Sequence, residues 1–286
     1  MKQQQAIIVF GEVLFDCFST GDQILGGAPF NVAWHLQAFG DSPKFISRVG
    51  DDHQGELITN AMTTWGMDCR YLQTDHKHPT GRVDVTVANN EPHYDIVKNA
   101  AYDFIEPIHG SAFPENGILY HGSLALRNEQ SNLALDDLCS QTSLPIFIDV
   151  NLRDPWWQRH KIEAWLHRAH WAKLNEDELI TLGFDNSDIK QAIIELQTQF
   201  NLEQVIITRG ELGALVCTGT HDFHHVMPPK VELFIDTVGA GDAFTARYIH
   251  GLLHKEHIQE TIAAAQLFAI KVIGLRGATS SDSTFY

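Results

Sequence analysis

The residues with the most chemical content lie at Asp236-Thr237-Val238-Gly239-Ala240-Gly241-Asp242-Ala243-Phe244. Small residues at 239–241 let a ligand approach the backbone, and a helical pattern follows to about His254. A helix start is a ready anion site, because its amides lack partners and the helix dipole favours negative charge. A carboxylate at that point, Asp242, would repel a bound phosphate. The arrangement makes sense if Asp242 takes a proton from a hydroxyl while the amides of Gly239, Ala240 and Gly241 hold charge developing on a phosphoryl group in transit. Taken alone, Gly-x-Gly-Asp also suits a plain loop whose Asp is an ordinary first-turn residue, and for an isolated match that reading is the commoner one.

The stretch follows Val231-Glu232-Leu233-Phe234-Ile235, which suits a strand, and more than two hundred residues earlier stands Gly26-Gly27-Ala28-Pro29-Phe30-Asn31-Val32-Ala33. In this order and at this separation the two stretches resemble the paired signatures of the PfkB, or ribokinase-like, family of sugar kinases, and the text is most similar to the fructokinase-like members. The resemblance covers nearly the whole chain. It implies a ribokinase-like three-layer α/β/α domain, with a mostly parallel central sheet and a small β-lid. One such domain would span 1–286, with the lid formed by about 11–20 and 80–98.

Composition is that of an ordinary globular protein. At 286 residues the chain can bury a substantial core, and 44% hydrophobic with 20% charged residues is ordinary. The formal charge of −16 argues against nucleic acid or an anionic membrane surface as partner. Four separated cysteines (Cys17, Cys69, Cys139, Cys217) without a Cys-x-x-Cys fit reduced thiols. The opening Met1-Lys2-Gln3-Gln4-Gln5 leads directly into a short apolar run, unlike a signal peptide, so a cytoplasmic location is expected. No Gly-Lys pair is present, which excludes a Walker P-loop, and no dinucleotide fingerprint follows the first strand.

The elements that must position these residues read as alternating strands and helices. Ala6–Phe10 is strand-like and ends at Gly11, and acidic residues follow in Gly11-Glu12-Val13-Leu14-Phe15-Asp16. That is where open α/β sheets place ligands. Apolar residues at 30, 33, 34, 36 and 39 follow helical spacing after Pro29. Lys44–Val49 reads as a strand and 54–65 as a helix. Residues 80–87 alternate as a strand with one wet face, and after the turn dipeptide Asn89-Asn90 a return strand over 93–97 completes a hairpin. Gly117–His121 and Leu144–Val150 are strand-like around a helix at Glu129–Gln141, a βαβ rhythm that implies a parallel sheet. Strands are expected at 205–208, 212–216 and 223–226, and a helix at 258–272.

The resemblance also distributes roles. Asp16, Gly26, Gly27 and Asn31 would hold a sugar, Gly27 by close approach and Asn31 by hydrogen bonding. Arg82 would point at the sugar, although an exposed strand arginine fits as well. Asp149-Val150-Asn151-Leu152-Arg153 resembles an Asp-Pro-Asn-x-Arg loop with Val150 in place of Pro. Arg153 there suits either an oxygen clamp or a helix-start salt bridge. Asn175 to Glu178 resembles an Asn-x-x-Glu element in which Glu178 meets Mg²⁺ through water. Without the family, Asn175 is a helix N-cap. Thr208, Gly210 and Gly213 would turn over the nucleotide, with Gly241 and Ala278 completing its site. The implied reaction transfers the γ-phosphoryl group of ATP, with Mg²⁺ and a monovalent cation such as K⁺ as cofactors, to a hydroxyl of a small sugar, fructose first. Kinases of the same fold for 2-keto-3-deoxygluconate, ribose or a nucleoside, or a non-catalytic sugar sensor, are the alternatives. The exposed edge of a lid sheet is a candidate homodimer surface.

Overall fold

The computed structural model describes residues 5–88, 91–110, 113–185, 187–229 and 235–286. In chain order the elements are β1 (Ala6–Phe10), β2 (Leu14–Phe18), β3 (Gln23–Gly26), α1 (Ala28–Ala38), β4 (Lys44–Gly50), α2 (His53–Thr64), β5 (Leu72–Asp75), β6 (Gly81–Ala88), β7 (Glu91–Ile96), β8 (Gly117–His121), α3 (Glu129–Gln141), β9 (Ile146–Asp149), α4 (Arg159–Leu166), β10 (Trp171–Asn175), α5 (Glu176–Thr181), α6 (Ile189–Phe200), β11 (Gln204–Thr208), β12 (Ala214–Thr218), β13 (Phe223–Val226), α7 (Ala240–His254) and α8 (Ile258–Ile273).

The period-2 geometry of a strand explains the layers. Every residue of β1 is buried, because alternate side chains serve opposite faces of a covered parallel strand. Ile8 and Phe10 join an apolar cluster with α3, α4, α5 and α6. Ile7 and Val9 join the cluster made with α1, α2, α7 and α8. The large sheet has the order β13-β12-β11-β10-β9-β8-β1-β4-β5. Its strands from β11 to β5 are parallel, whereas β12 pairs antiparallel with both β11 and β13. Strand order reverses between β1 and β8, and a crevice opens there at the strands' C-terminal ends.

A second sheet, ordered β3-β2-β6-β7, occupies the segments where a lid is expected and adds β3 to them. Its Leu14, Val83 and Val85 pack on Tyr102 and Leu124. The expected strand over 231–235 and the turn at Asn89-Asn90 fall outside the described residues, Ile235 apart. The strand expected from 212 begins instead at Ala214, since Gly210–Leu212 forms a single 3₁₀ turn. No described helix is long and apolar enough to cross a membrane.

The last residues buttress α1. Trp34 stacks on Trp65 with ring centroids 4.9 Å apart and donates its Nε1 hydrogen to the Ser280 carbonyl at 2.8 Å. The Tyr286 hydroxyl lies 3.0 Å from Nδ1 of His35, whose imidazole burial holds near neutral by pushing its pKa down to about 3. Tyr286 also meets the rings of Phe39, Trp65 and Phe268. We expect Tyr286→Ala to cost about 1–3 kcal/mol of stability, less than a fully buried aromatic truncation. An unchanged urea midpoint would mean that the tail does not hold α1.

Candidate active site

A cavity of about 520 Å³ fills the crevice, a size that suits a small ligand plus part of a larger one. The ends of four parallel strands supply its floor. Glu12 follows β1, Asp149 ends β9 with Asn151 and Arg153 beyond it, Lys173 and Asn175 close β10, and Thr208 closes β11. The starts of α1 and α7 form one wall, and Ile24, Tyr94 and Ile96 of the small sheet form the roof.

At the start of α7, Gly239 takes the left-handed conformation (φ 80°) as N-cap. A Cβ on it would come within 2.3 Å of the Ala278 Cβ, so only glycine permits this packing. Among the described residues the Gly241 and Asp242 amides have no backbone acceptor, as a first helical turn dictates. Asp242 accepts a hydrogen bond from Asn31 Nδ2 at 2.8 Å. Burial pushes its carboxyl up to about 6; the Asn31 hydrogen bond, Lys173 and Arg153 restrain that rise, and Asp149 adds to it. A carboxylate poised near neutrality beside free amides can accept a proton and still leave room for a phosphoryl group.

Asp16 stands on β2 opposite Ile24 of β3 and faces the cavity. Burial raises its pKa to about 6 against the pull of Arg153. Gly26 and Gly27 line the cavity. Gly27 has φ 110°, and a side chain on it would strike the Glu12 carbonyl at 2.7 Å. Asn31 lies in the first turn of α1 as expected, but its amide nitrogen is engaged with Asp242, and only Oδ1 is left without a partner. Arg153 lines the cavity, and its guanidinium has no hydrogen-bond partner among the described residues. Arg82 is absent from the lining. Strand alternation turns Val83 inward and Arg82 outward, where its guanidinium meets Asp84 at 3.2 Å on the exposed face.

On the other side Thr208, Asn175, Glu178, Gly241 and Ala278 line the cavity, whereas Ala240, Gly210 and Gly213 do not. Asn175 and Glu178 form a reciprocal capping box at the start of α5. Both Glu178 oxygens are thereby used, one by the Asn175 amide and one by the Leu152 amide, each at 2.8 Å. Burial, followed by the charge of Asp149, raises the Glu178 pKa.

Three further groups matter that sequence patterns did not single out. Lys173 sits opposite Asp149 in the β9–β10 register and holds it at 2.8 Å, both side chains being buried. Thr245 donates to the same Asp149 oxygen at 2.9 Å, which ties the first turns of α7 to the sheet. Glu12 is 2% exposed, and its Oε2 has no partner. A lysine inside a strand and an aspartate at the next strand's end were the available signals.

Glu12 supplies a test of this charge balance. Burial pushes its carboxyl up to about 7, and Asp242 adds to the rise. The folded protein therefore binds this proton more tightly than the unfolded chain does. The stabilisation is complete below about pH 4.5 and is lost as pH rises through about 7. Glu12→Gln removes that loss, so between pH 5 and pH 8 its stability should gain on the wild type by about 2 kcal/mol. Urea unfolding of both proteins at the two pH values measures the gain, and a constant difference would place the Glu12 titration elsewhere.

Known proteins share this architecture. A fructokinase of Klebsiella pneumoniae is 28% identical over 260 residues, covering 86% of this chain and 84% of the relative. One of Escherichia coli is 29% identical over 260 residues, with 85% and 83% covered. The fructokinase from Vibrio cholerae O395, solved in a form binding fructose, ADP and potassium ion, superposes with a TM-score of 0.82 at 25% identity over 97% of this chain and 95% of that one. The aminoimidazole riboside kinase from Salmonella enterica, at 24% identity and a TM-score of 0.82 over 96% and 95%, shares the fold. The family model for pfkB family carbohydrate kinases matches residues 9–284, and with the crevice, the helix start and Asp242 in place, the chain belongs to the pfkB family of carbohydrate kinases.

Proposed function

We propose that the protein transfers the γ-phosphoryl group of ATP to a hydroxyl of fructose, working as one kinase unit whose small sheet serves as a lid. The observation that carries this reading is the carboxylate of Asp242 at a helix start with free amides, inside a cavity that the small sheet roofs. The fructokinase relatives and the fructose and ADP bound to the Vibrio cholerae neighbour support the choice of substrate.

In this mechanism Asp16 accepts hydrogen bonds from sugar hydroxyls, and the free Oδ1 of Asn31 accepts another. The aligned hydroxyl gives its proton to Asp242, its oxygen forms a bond to the γ-phosphorus, and the bond to the bridging oxygen breaks to release ADP. The amides of Gly241 and Asp242 hold the charge in transit, and most of the rate comes from positioning and electrostatics. Among the described residues six carboxylates (Glu12, Asp16, Asp149, Glu178, Asp236, Asp242) line the cavity against two cations, Arg153 and Lys173. Such a cavity takes up a polyphosphate only together with compensating cations, and its hard oxygen donors suit Mg²⁺. Asn175 and Glu178 would hold that ion through water; when bound, it neutralises phosphate charge. A monovalent cation such as K⁺ belongs to the same reading, since the Vibrio cholerae neighbour carries potassium. Strands β3 and β7 bound the small sheet, and either edge could pair with a second copy in a dimer.

Asp242→Asn should leave nucleotide affinity intact and lower kcat with fructose at least ~100-fold, the scale of general-base loss. Because Asp242 must be ionised to act, wild-type kcat/KM should fall as pH drops through about 6. A variant with near-normal kcat would remove Asp242 as the base. If no sugar of a ketose and aldose panel yields phosphorylated product, the kinase reading fails.

The two sugar-side residues should separate kinetically. Asp16→Ala should raise the sugar KM roughly tenfold or more with little change in kcat, as for a lost buried hydrogen bond. Asn31→Ala should also depress kcat, because Asn31 orients Asp242 at 2.8 Å. Identical effects from the two variants would refute that division.

A further inference from the structure

The mechanism uses only one end of α7. At the other end His250 and His254, one turn apart, point at Asp41 in the link between α1 and β4. Nδ1 of His250 lies 2.8 Å from one Asp41 oxygen, and Nε2 of His254 lies 2.9 Å from the other. The two imidazole rings are 4.3 Å apart between centroids. One donor atom from each of the three residues falls within 4.8 Å of the others. The Asp41 side chain is 5% exposed, that of His250 20% and that of His254 54%, so the carboxylate forms a base and the imidazoles open towards solvent. The Phe39 ring, 5.2 Å from that of His250, fixes the inner imidazole.

We propose that Asp41, His250 and His254 form a binding site for a borderline transition-metal cation of the Zn²⁺ class, with water as the fourth ligand. Two imidazoles and one carboxylate are the donor set of tetrahedral zinc with one open position. Imidazole nitrogen selects Zn²⁺, Cu²⁺ or Ni²⁺ over Mg²⁺ or K⁺, which prefer oxygen shells. Zinc bonds of about 2.0–2.2 Å place neighbouring tetrahedral donors roughly 3.3 Å apart, so the present cluster needs only a small opening around Asp41. Residues four apart on a helix face the same way, which supplies the pair of imidazoles from one rigid element.

The position gives the ion its role. Eight helical residues from Asp242 to His250 span about 12 Å, so the ion lies outside the reacting centre. Helices α1 and α7 both start at the cavity, where Asn31 of one holds Asp242 of the other. The metal would clasp the opposite ends of the same two helices. It acts as a structural fastener on the pair that carries the site.

The test uses full-length protein stripped with chelator and titrated with Zn²⁺ alone by calorimetry, without nucleotide. Co²⁺ serves as a spectroscopic substitute, because tetrahedral coordination gives intense visible bands. We expect one equivalent bound with Kd below about 10 µM and a rise in Tm, since binding to the native state alone stabilises it. His254→Ala, at a half-exposed position that tolerates truncation, should weaken that equivalent at least ~10-fold, abolish the visible bands and remove the Tm rise. Asp41→Asn and His250→Ala should lose the same equivalent. The proposal is overturned if wild type binds no ion at about 100 µM, or if His254→Ala binds as wild type does, with the ions scattered over the other histidines and the free thiols.

Discussion

The ion pair between Lys173 and Asp149 is the constraint on which the site depends. It bridges the ends of two adjacent strands beneath a cavity crowded with carboxylates. Burial works against the lysine's charge, but Asp149, Glu178 and Asp242 together raise its pKa, so it stays an ammonium. Without that cation, several buried carboxylates would face one another uncompensated. Losing one partner of such a pair typically costs about 3–5 kcal/mol. The same Asp149 oxygen receives the Thr245 hydroxyl, so the pair also fixes where α7 begins. The start of α7 is therefore set from below by the sheet.

Charge in the cavity is graded. Asp242 and Asp16 are raised to about 6 and Glu12 to about 7, each chiefly by burial. Lys173 answers the charge from the floor, and Arg153, free of side-chain partners among the described residues, answers it from the rim. The roof strands are apolar where they face inward, at Ile24 and Ile96, so closing them over substrate would remove water from the transfer.

Much of this was legible in the sequence because strong periodicity leaves little choice. β1 and α3 match their expected limits, since an unbroken apolar run and a clean helical pattern have one good solution each. Asp242, Gly27 and Asn31 were marked by glycine chemistry and motif context. The Asp149–Lys173 pair was not, because strands joined by a long crossover reveal their register only in three dimensions. The partnership of Asn31 with Asp242 was hidden in the same way by a separation of 211 residues. Arg82 is different, for the alternation over 80–87 already grouped it with Asp84 and Thr86 against Val83 and Val85. Of its two expected placements, the structure has the exposed strand arginine.

The Gly26–Gly27 junction joins β3 to α1 without a spacer, and α1 carries Asn31, which holds Asp242. The small sheet is thus wired to the Asp242 carboxylate through its β3 margin. Tyr94 and Ile96 on β7 touch the cavity by their side chains and have no such mechanical line to Asp242 among the described residues. For anyone wishing to retarget the enzyme to a different acceptor, the two margins are unequal. Edits on β7 reshape the roof of the cavity, whereas edits on β3 also reach Asp242 through Asn31.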